Sequence, residues 1–502
     1  MATPSTTSTR SRKPQRSVYD ADAINKRTVL RAAYDIARST DENANFWKYV
    51  DSLSAAEANN PSVRQTIRNR ARYEVANNSY ADGIVDTLAA DTIGPEVQLQ
   101  LGDTDAAQRA EREFERWAHA TRLWSKLRTM RRAKCVDGEA FGQLVTNRKV
   151  AHRVKLDLRL LECDMVESWV TGLRADEIDG IRFDDVGNPE SYRILKNHPG
   201  DSRGWATSKA GDWTPAAYVL HYFTEARPGQ VRGVSELLPS LALFGELRLY
   251  TKAVINAASR AAELAAVMQT TLLPDQVAAE LADPLTTIEA PRNAIVSLPE
   301  GWTMSQLKAE QPAQTYEMFK REIVNEMARP LSMPYNVAAC DSSRYNYASG
   351  RLDHQTYDRS IEVERAEIRL AILDRIYAAW LAEYAAISGL PPAQIDAIRD
   401  HEWHFSGRGH VDPNKEANAD QSRLSNGTLT RSRYWAKHGA DWKREDAQWI
   451  KELIEREKMW NKAREEAGLP SAPMPSAPGA PANQPTPDED EPETKETKTD
   501  ED

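Results

Sequence analysis

"EARPGQVRGVSELLPSLALF", Glu225 to Phe244, joins a proline-and-glycine turn carrying two arginines to a long leucine- and alanine-rich stretch. Proline is tolerated only in the first turn of a helix, so Pro239 marks a helix start within a few residues of itself. From there to Gln269 only Gly245 interrupts the pattern. Counted from residue 236, the expected helix is about 34 residues, or roughly 50 Å at 1.5 Å per residue. Its second half carries Ala253, Ala257, Ala258, Ala261, Ala262, Ala265 and Ala266. Small side chains let neighbouring backbones come close but bury little area each, so such a helix needs other helices beside it.

Working outward, the section upstream changes period. "VKLDLRL" puts Val154, Leu156, Leu158 and Leu160 on one face and Lys155, Asp157 and Arg159 on the other, a half-buried strand. "DEIDGIRFDDVGNPESYRILK" predicts a hairpin around Gly187-Asn188, and "AYVLHYF" a further strand, so residues 135–223 are mainly β. Further back, "NNPSVRQTIRNRARYEVANN" has Asn60 placed to cap, Pro61 at the first helical position, and Ile67, Ala71 and Val75 on one side. Arg64, Arg68 and Arg72 line another side, which reads as a solvated helix face, with a phosphate ladder as the alternative. The basic run from Arg122 to Lys134 reads the same way.

Downstream, residues 270–311 form a small mixed insertion with "NAIVSLPEGW" as strand and turn. A second helix, 312–328, stops before Pro330. After a loop comes a helix from Ser349 to Ile387, dense in charged pairs. The remainder is helical again: Asp412 caps a helix that stops at Gly427, and "TRSRYWAKHG" closes at Gly439.

A chain of 502 residues with 40% hydrophobic content has room for several domains with sizeable cores. The net charge of −10 is unevenly spread: residues 486–502 hold nine acids and two lysines, while residues 1–16 hold four basic groups and no acid. Both ends are expected to be solvated, the first as a basic arm and 469–502 as a Pro/Ala linker with an acidic tail. The part between is mildly acidic, which excludes a tight nucleic-acid binder of the kind that works by neutralising phosphates. Cys135, Cys163 and Cys340 are too few and too scattered for a disulfide framework or a cysteine zinc site. The first residues lack the apolar core of a secretory signal, and no apolar run reaches the roughly 18 residues of a membrane span.

Catalytic signatures are weak. "HEWH", His401 to His404 with His410 nearby, falls one residue short of the zinc-hydrolase helix spacing. "PGQVRGVSE" lacks the Gly-Lys-Ser/Thr ending that cradles phosphates, and no nucleophile elbow is present. "TRSRYWAKHGADW" with the helix before it has the outline of a helix-turn-helix, though short helical pairs are commoner as packing units. The expectation is therefore no catalytic residue, no metal and no cofactor. A metal-dependent nuclease or hydrolase near DNA, or a helix-turn-helix DNA-binding protein, stands as the alternative.

Four ordered motifs carry a resemblance. They are "RNRARYEVANNSYADGIVDTLAADTIG" (68–94); "DGEAF" (137–141), followed by "DDVGNPESYRI"; Arg227, Pro228, Gly229, Gln230, Arg232, Gly233 and Val234; and Asp341, Ser343, Asn346, Tyr347, Ser349 and Arg351. Together the chain resembles the portal proteins of tailed bacteriophages, of the lambda type, from about Asn60 to about Trp442. Two departures are Ala348, where that family usually has a serine, and Pro95, where a second glycine is common. With Ala348 in place, Ser349 is expected to cap the helix that follows.

The resemblance implies an α+β portal-type fold, mainly helical, with a mixed β section in the wing and a small α/β clip. Its parts are a disordered basic arm (1–16), the wing (17–234), a first stem helix (235–269), the clip (270–311), a second stem helix (312–332), a tunnel loop (333–348), a long wing helix (349–388), a crown-like helical region (389–468) and a disordered tail (469–502). It implies a structural homo-oligomer, a ring usually of twelve copies, at one capsid vertex of the virion. Double-stranded DNA enters and leaves through its tunnel without sequence preference. The implied partners are the terminase large subunit, head-completion or connector proteins, and the major capsid and scaffold proteins, with no membrane. Candidate tunnel-loop contacts to DNA are Arg344, Tyr345, Asn346 and Tyr347; Arg227, Gly229, Gln230, Arg232, Gly233, Asp341, Ser343, Ser349 and Arg351 are expected to be structural.

Overall fold

The computed structural model describes residues 52–102, 104–166, 176–201, 211–262, 266–270, 302–306, 315–407, 413–438 and 440–470. Residues 1–60 and 61–502 form two units. In the first, a short helix α1 (Ala55–Ala58) is capped by Ser54, whose Oγ accepts from Glu57 N at 3.2 Å.

The second unit opens with α2 (Pro61–Asn77) and α3 (Ser79–Ile93), the latter capped by the Asn78 side chain. After β1 (Val97–Gln100) come α4 (Asp105–Thr121) and α5 (Leu123–Asp137), separated by Arg122 in the left-handed region. The strands follow: β2 (Glu139–Thr146), β3 (Leu156–Leu161), β4 (Glu177–Ile178), β5 (Ile181–Phe183), β6 (Pro189–Leu195), β7 (Gly211–Pro215) and β8 (Val219–Phe223). They make a three-stranded sheet in the order β3-β2-β8 and a four-stranded one in the order β4-β5-β6-β7, all antiparallel. The hairpin turns where its sequence predicts: Gly187 has φ +95°, and Asp184 Oδ1 accepts from the backbone of Val186 and Asn188.

Next comes α6 (Leu241–Ala262), and here the sequence reading is corrected. The helix expected to reach residue 269 is described as far as Ala262, and Ala266–Thr270 is instead a strand, β9, paired with β10 (Trp302–Gln306), Met268 opposite Met304. Alanine favours a helix only as a weak prior, and cross-strand pairing of a Val- and Thr-bearing segment overrides it. The rest of "NAIVSLPEGW", and most of 270–311, lies outside the described residues.

Then α7 (Thr315–Ala328) returns antiparallel to α6. Ser240 Oγ, at the head of α6, donates to Met327 O at 2.9 Å, and midway along α6 Tyr250 meets Tyr316 and Phe319 of the first turns of α7. The expected loop 333–348 contains a short helix, α8 (Tyr335–Ala338). The long helix is α9 (Tyr347–Ile368), a π-helical turn at Arg369–Leu373, and α10 (Asp374–Ser388), ended by Gly389 at φ +60°. Its cap is Asn346, not Ser349: the Asn346 Oδ1 accepts from Ser349 N at 2.9 Å, while the Ser349 hydroxyl donates to Asn346 O. Asparagine caps as well as serine and stands three residues earlier, where the free N–H groups are within its reach.

The chain ends with α11 (Pro392–Ala397), β11 (Glu402–Phe405), α12 (Pro413–Ser425), α13 (Arg431–Lys437) and α14 (Trp442–Glu466). β11 pairs with β1, three hundred positions back, with Trp403 opposite Leu99. Ile398 and Trp403 therefore sit in the first core with Phe114, Trp117, Tyr377 and Trp380, and the C-terminal region expected from residue 389 begins inside that core. A second core joins α3, the root of α6 and α7, and α9 through Ile84, Phe244, Leu247, Val324, Met327 and Tyr357. A third lies between the sheets, around Phe141, Leu161, Tyr192 and Val219. No helix among the described residues is long and apolar enough to cross a membrane.

Candidate functional site: the root of the helix pair

The site starts from the turn Arg227–Gln230. Pro228 fixes its first central position, Gly229 supplies φ +79° at the second, and Gln230 N donates to Arg227 O at 3.1 Å, the geometry of a type II turn. Gln230 staples the loop: its Oε1 accepts from Ala226 N at 3.1 Å and its Nε2 donates to Arg232 O at 2.8 Å. Arg227 is exposed.

Arg232 is 0% exposed. Its guanidinium donates to Glu139 through Nε at 2.8 Å and Nη2 at 2.7 Å, and Nη1 donates to Asp179 O at 2.9 Å. Glu139, equally buried, also accepts from Gly233 N at 3.1 Å, contacts Nε2 of His221 at 3.1 Å and receives Arg68 Nη2 at 3.3 Å. Burial alone would raise the Glu139 carboxyl, but the Arg232 charge and the His221 hydrogen bond outweigh it and hold the group well below the usual carboxylate range. Burial pushes His221 down and Cys163 up, the latter donating from Sγ to Glu139 O at 2.9 Å.

Arg64, Arg68 and Arg72 complete the cluster, and this corrects both sequence readings of that stripe. Arg64 Nη1 donates to Asp179 at 3.0 Å, Arg68 Nη1 to Asp164 at 2.8 Å, and Arg72 grips Asp137 with Nε at 2.7 Å and Nη2 at 2.8 Å. The stripe is neither a solvated face nor a phosphate ladder; the helix turns its arginines inward. The acids that meet them arrive from positions 65 to 115 residues away, a pairing that periodicity cannot register. The run Arg122–Lys134 is corrected in the same way. Arg131 is buried against Glu236 at 2.9 Å, and Lys134 Nζ lies 2.5 Å from Glu364 and 3.3 Å from Glu236; the Tyr222 hydroxyl also reaches Glu364.

The motifs also interlock by shape. Gly138 has φ +91°, and a Cβ there would lie 2.3 Å from the Val234 carbonyl carbon; a Cβ on Gly233 would lie 2.0 Å from Gly138 O. The two backbones cross with no room for either side chain. The arginine helix, the Asp137–Phe141 stretch and the Arg/Gly loop thus meet at one point, from which α6 departs.

The fourth motif stands elsewhere, beside α7 and α9. Asp341 Oδ1 accepts from Ser343 N at 3.0 Å, which draws its carboxyl below the usual value. Arg344 Nη2 pairs with Glu317 at 2.7 Å, both largely exposed. Tyr345 lines a cavity of about 400 Å³ together with Arg321, Arg329, Tyr335 and Asp353. Asn346 serves as the cap, Tyr347 begins α9 with its side chain outside the described residues, and Arg351 is exposed.

The histidine motif lies on a strand, not a helix. His401 Nε2 is 3.0 Å from Asp374 and His404 Nε2 is 2.5 Å from Gln100, so the two rings serve different neighbours; His410 lies outside the described residues. Among the described residues, Glu162, Asp164 and His198 approach closely enough to surround a cation, but Arg68 and Arg72 already hold Asp164. α13, the second helix of the helix-turn-helix outline, packs on α14 and β11.

The charged groups of this cluster are turned on one another, so these sequence motifs specify how chain segments lock together. The family model described as phage portal protein, lambda family, matches residues 42–365, and the chain belongs to that family. The probable portal protein of Halomonas phage phiHAP-1 is 23% identical over 455 residues, covering 82% of this chain and 84% of the relative. Among solved structures, a chain of the virion of a native gene transfer agent particle matches at TM-score 0.40 and 15% identity, covering 74% of this chain and 92% of that one. A chain from the neck of the native particle, computed with C12 symmetry, matches at 0.37 and 14%, with the same coverage.

Proposed function

We propose that this portal subunit assembles into a ring of about twelve copies at one vertex of a phage capsid, through whose axis double-stranded DNA is driven in by a terminase and later leaves. The observation that carries this reading is the α6–α7 pair. Its root is embedded in the second core, yet among the described side chains of the distal half of α6 none is buried: Leu249 is 67% and Ile255 59% exposed, and Met318 and Phe319 on α7 are also exposed. Two helices side by side cannot cover one another all round, whereas a closed ring gives each pair two neighbours.

On this reading α6 and α7 are the stem, 270–311 the clip that meets the terminase large subunit and later the head-completion proteins, 333–348 the tunnel loop, and the β section with α9–α10 the wing, facing the major capsid and scaffold proteins. The C-terminal helices α12–α14 form the crown. The ion cluster works as a rigid socket that sets the angle of the stem against the wing. The Arg344–Glu317 pair is an exposed one, worth about 0–1 kcal/mol, so Arg344 can exchange its carboxylate for a passing phosphate with little loss. A mildly acidic chain with few loop cations holds DNA weakly, as a conduit must. Electron micrographs of the purified protein viewed down the particle axis test the proposal: rings with a central hole are expected, and a compact monomer at every concentration would overturn it.

A further inference from the structure

The C-terminal helix α14 (Trp442–Glu466) runs 25 residues without a single buried one. Helices in proteins draw most of their stability from packing an apolar face, so a helix about 37 Å long that meets only the short α13 near its start, and buries none of its residues there, is incomplete. The face exists. Trp442, Trp449 and Trp460 recur at spacings of seven and eleven, close to two and three whole turns, and so form one row along the helix; Leu453, Ile450 and Ile454 extend the apolar arc beside it. Trp449 is 55% exposed and Ile450 51%, although Arg431 of α13 reaches over the Trp449 ring and pairs with Asp446.

The end of the helix shows where the chain goes next. Gly468 has φ +70°, Gly468 N donates to Glu465 O at 3.0 Å and Leu469 N to Arg464 O at 2.8 Å, which reverses the chain. Arg464 then donates from Nε to Pro470 O at 2.8 Å while its guanidinium sits 5.6 Å from the centre of the Trp460 ring. One side chain thus bridges the outgoing backbone and the last tryptophan of the row.

The residues that follow, "SAPMPSAPGAP" (471–481), have proline at 473, 475, 478 and 481. Proline fixes φ and removes an N–H, favouring an extended three-residue turn in which residues three apart share an edge, the form that docks on aromatic grooves. Eleven such residues reach about 34 Å at 3.1 Å each, enough for the roughly 27 Å that separates the levels of Trp460 and Trp442 on a helix. The nine acids of 486–502 come after this, where the first turn of α14 and the head of α13 present exposed Arg431, Arg433 and Arg444.

We propose that residues 471–481 of the chain's own tail lie back along the tryptophan row of α14, and that the acidic residues 488–502 rest against the exposed arginines Arg433 and Arg444 where α13 meets the start of that helix. The surface has an intramolecular occupant, independent of how copies of the chain assemble. Met459, 70% exposed and about 100° round α14 from Trp460 on the side away from Ile450, provides an internal control. Hydroxyl-radical footprinting of the full chain, compared with a Pro475→Ser, Pro478→Ser, Pro481→Ser variant, is expected to show oxidation of Trp449 and Trp460 rising roughly threefold while Met459 is unchanged. Carbodiimide coupling of the parent chain is expected to join Lys443 or Lys451 to carboxylates of 488–502 within one copy. Equal oxidation of the tryptophans in both proteins, coupling of the tail elsewhere, or α14-to-α14 coupling between copies would each overturn the proposal.

Discussion

At the scale of the residue, Glu139 decides most. It neutralises Arg232 where water does not reach, so Glu139→Gln leaves that buried guanidinium without its carboxylate, while Arg68 keeps Asp164, and is expected to cost about 3–5 kcal/mol, read as a lower urea midpoint at pH 7. The folded carboxyl titrates below its unfolded value, so the folded state binds fewer protons. The stabilisation is full above the unfolded pKa of about 4.3 and is lost as pH falls through the lower folded value; parent and variant should converge under acid. Glu111 has the opposite sign. Burial beneath the β1 end, where it accepts from Leu101 N at 2.6 Å, raises its carboxyl to about 7. Its contribution is complete below the unfolded pKa and disappears as pH rises through 7. Glu111→Gln should therefore be the more stable protein at pH 8, by about 1 kcal/mol once partial exposure is discounted, with the advantage shrinking towards pH 5 in thermal melts. Arginine spacing was legible in the sequence at residues 64, 68 and 72; the direction those arginines face was not, because the carboxylates that draw them inward belong to other segments.

At the scale of the element, glycines of the same loop do different work. Gly229 needs only its positive φ and has nothing within 4 Å of a would-be Cβ, so Gly229→Ala is expected to cost about 1 kcal/mol. Gly233→Ala drives a methyl group into the Gly138 carbonyl and is expected to separate the two segments, with loss of soluble folded protein or a denaturation midpoint lower by more than about 3 kcal/mol. The RPGQxRGV pattern was readable as a turn before a helix. That its second glycine is half of a backbone crossing became visible only when "DGEAF" was found beneath it. The far part of the alanine-rich stretch departs from its local pattern for a related reason: alanines permit helix to residue 269, but Trp302–Gln306 offers Ala266–Thr270 a strand to pair with. Likewise Asn346 takes the cap assigned to Ser349, since capping depends on which backbone turns first.

At the scale of the whole molecule, the exposed side of the α6–α7 pair is the feature to perturb. Leu249→Glu with Ile255→Glu leaves the three cores untouched, so the variant should keep its far-ultraviolet circular dichroism yet fail to form rings in light scattering. Rings of unchanged size would show that neighbouring copies meet through other surfaces. The sequence alone determined the helix-rich α+β class, a β section within residues 135–223 (its first strand starts only at Glu139, after α5 ends at Asp137), the turn that launches α6 and the family to which the chain belongs, because all of these are written in local periodicity, in Pro and Gly positions and in short ordered motifs. Only the tertiary structure decided that three of those motifs converge on one buried set of ion pairs, that β11 returns to β1, and that Ala266–Thr270 is strand and not helix. Charge neutralisation, strand pairing and backbone crossing each need two segments distant in the chain, and a lone segment carries no record of its partner.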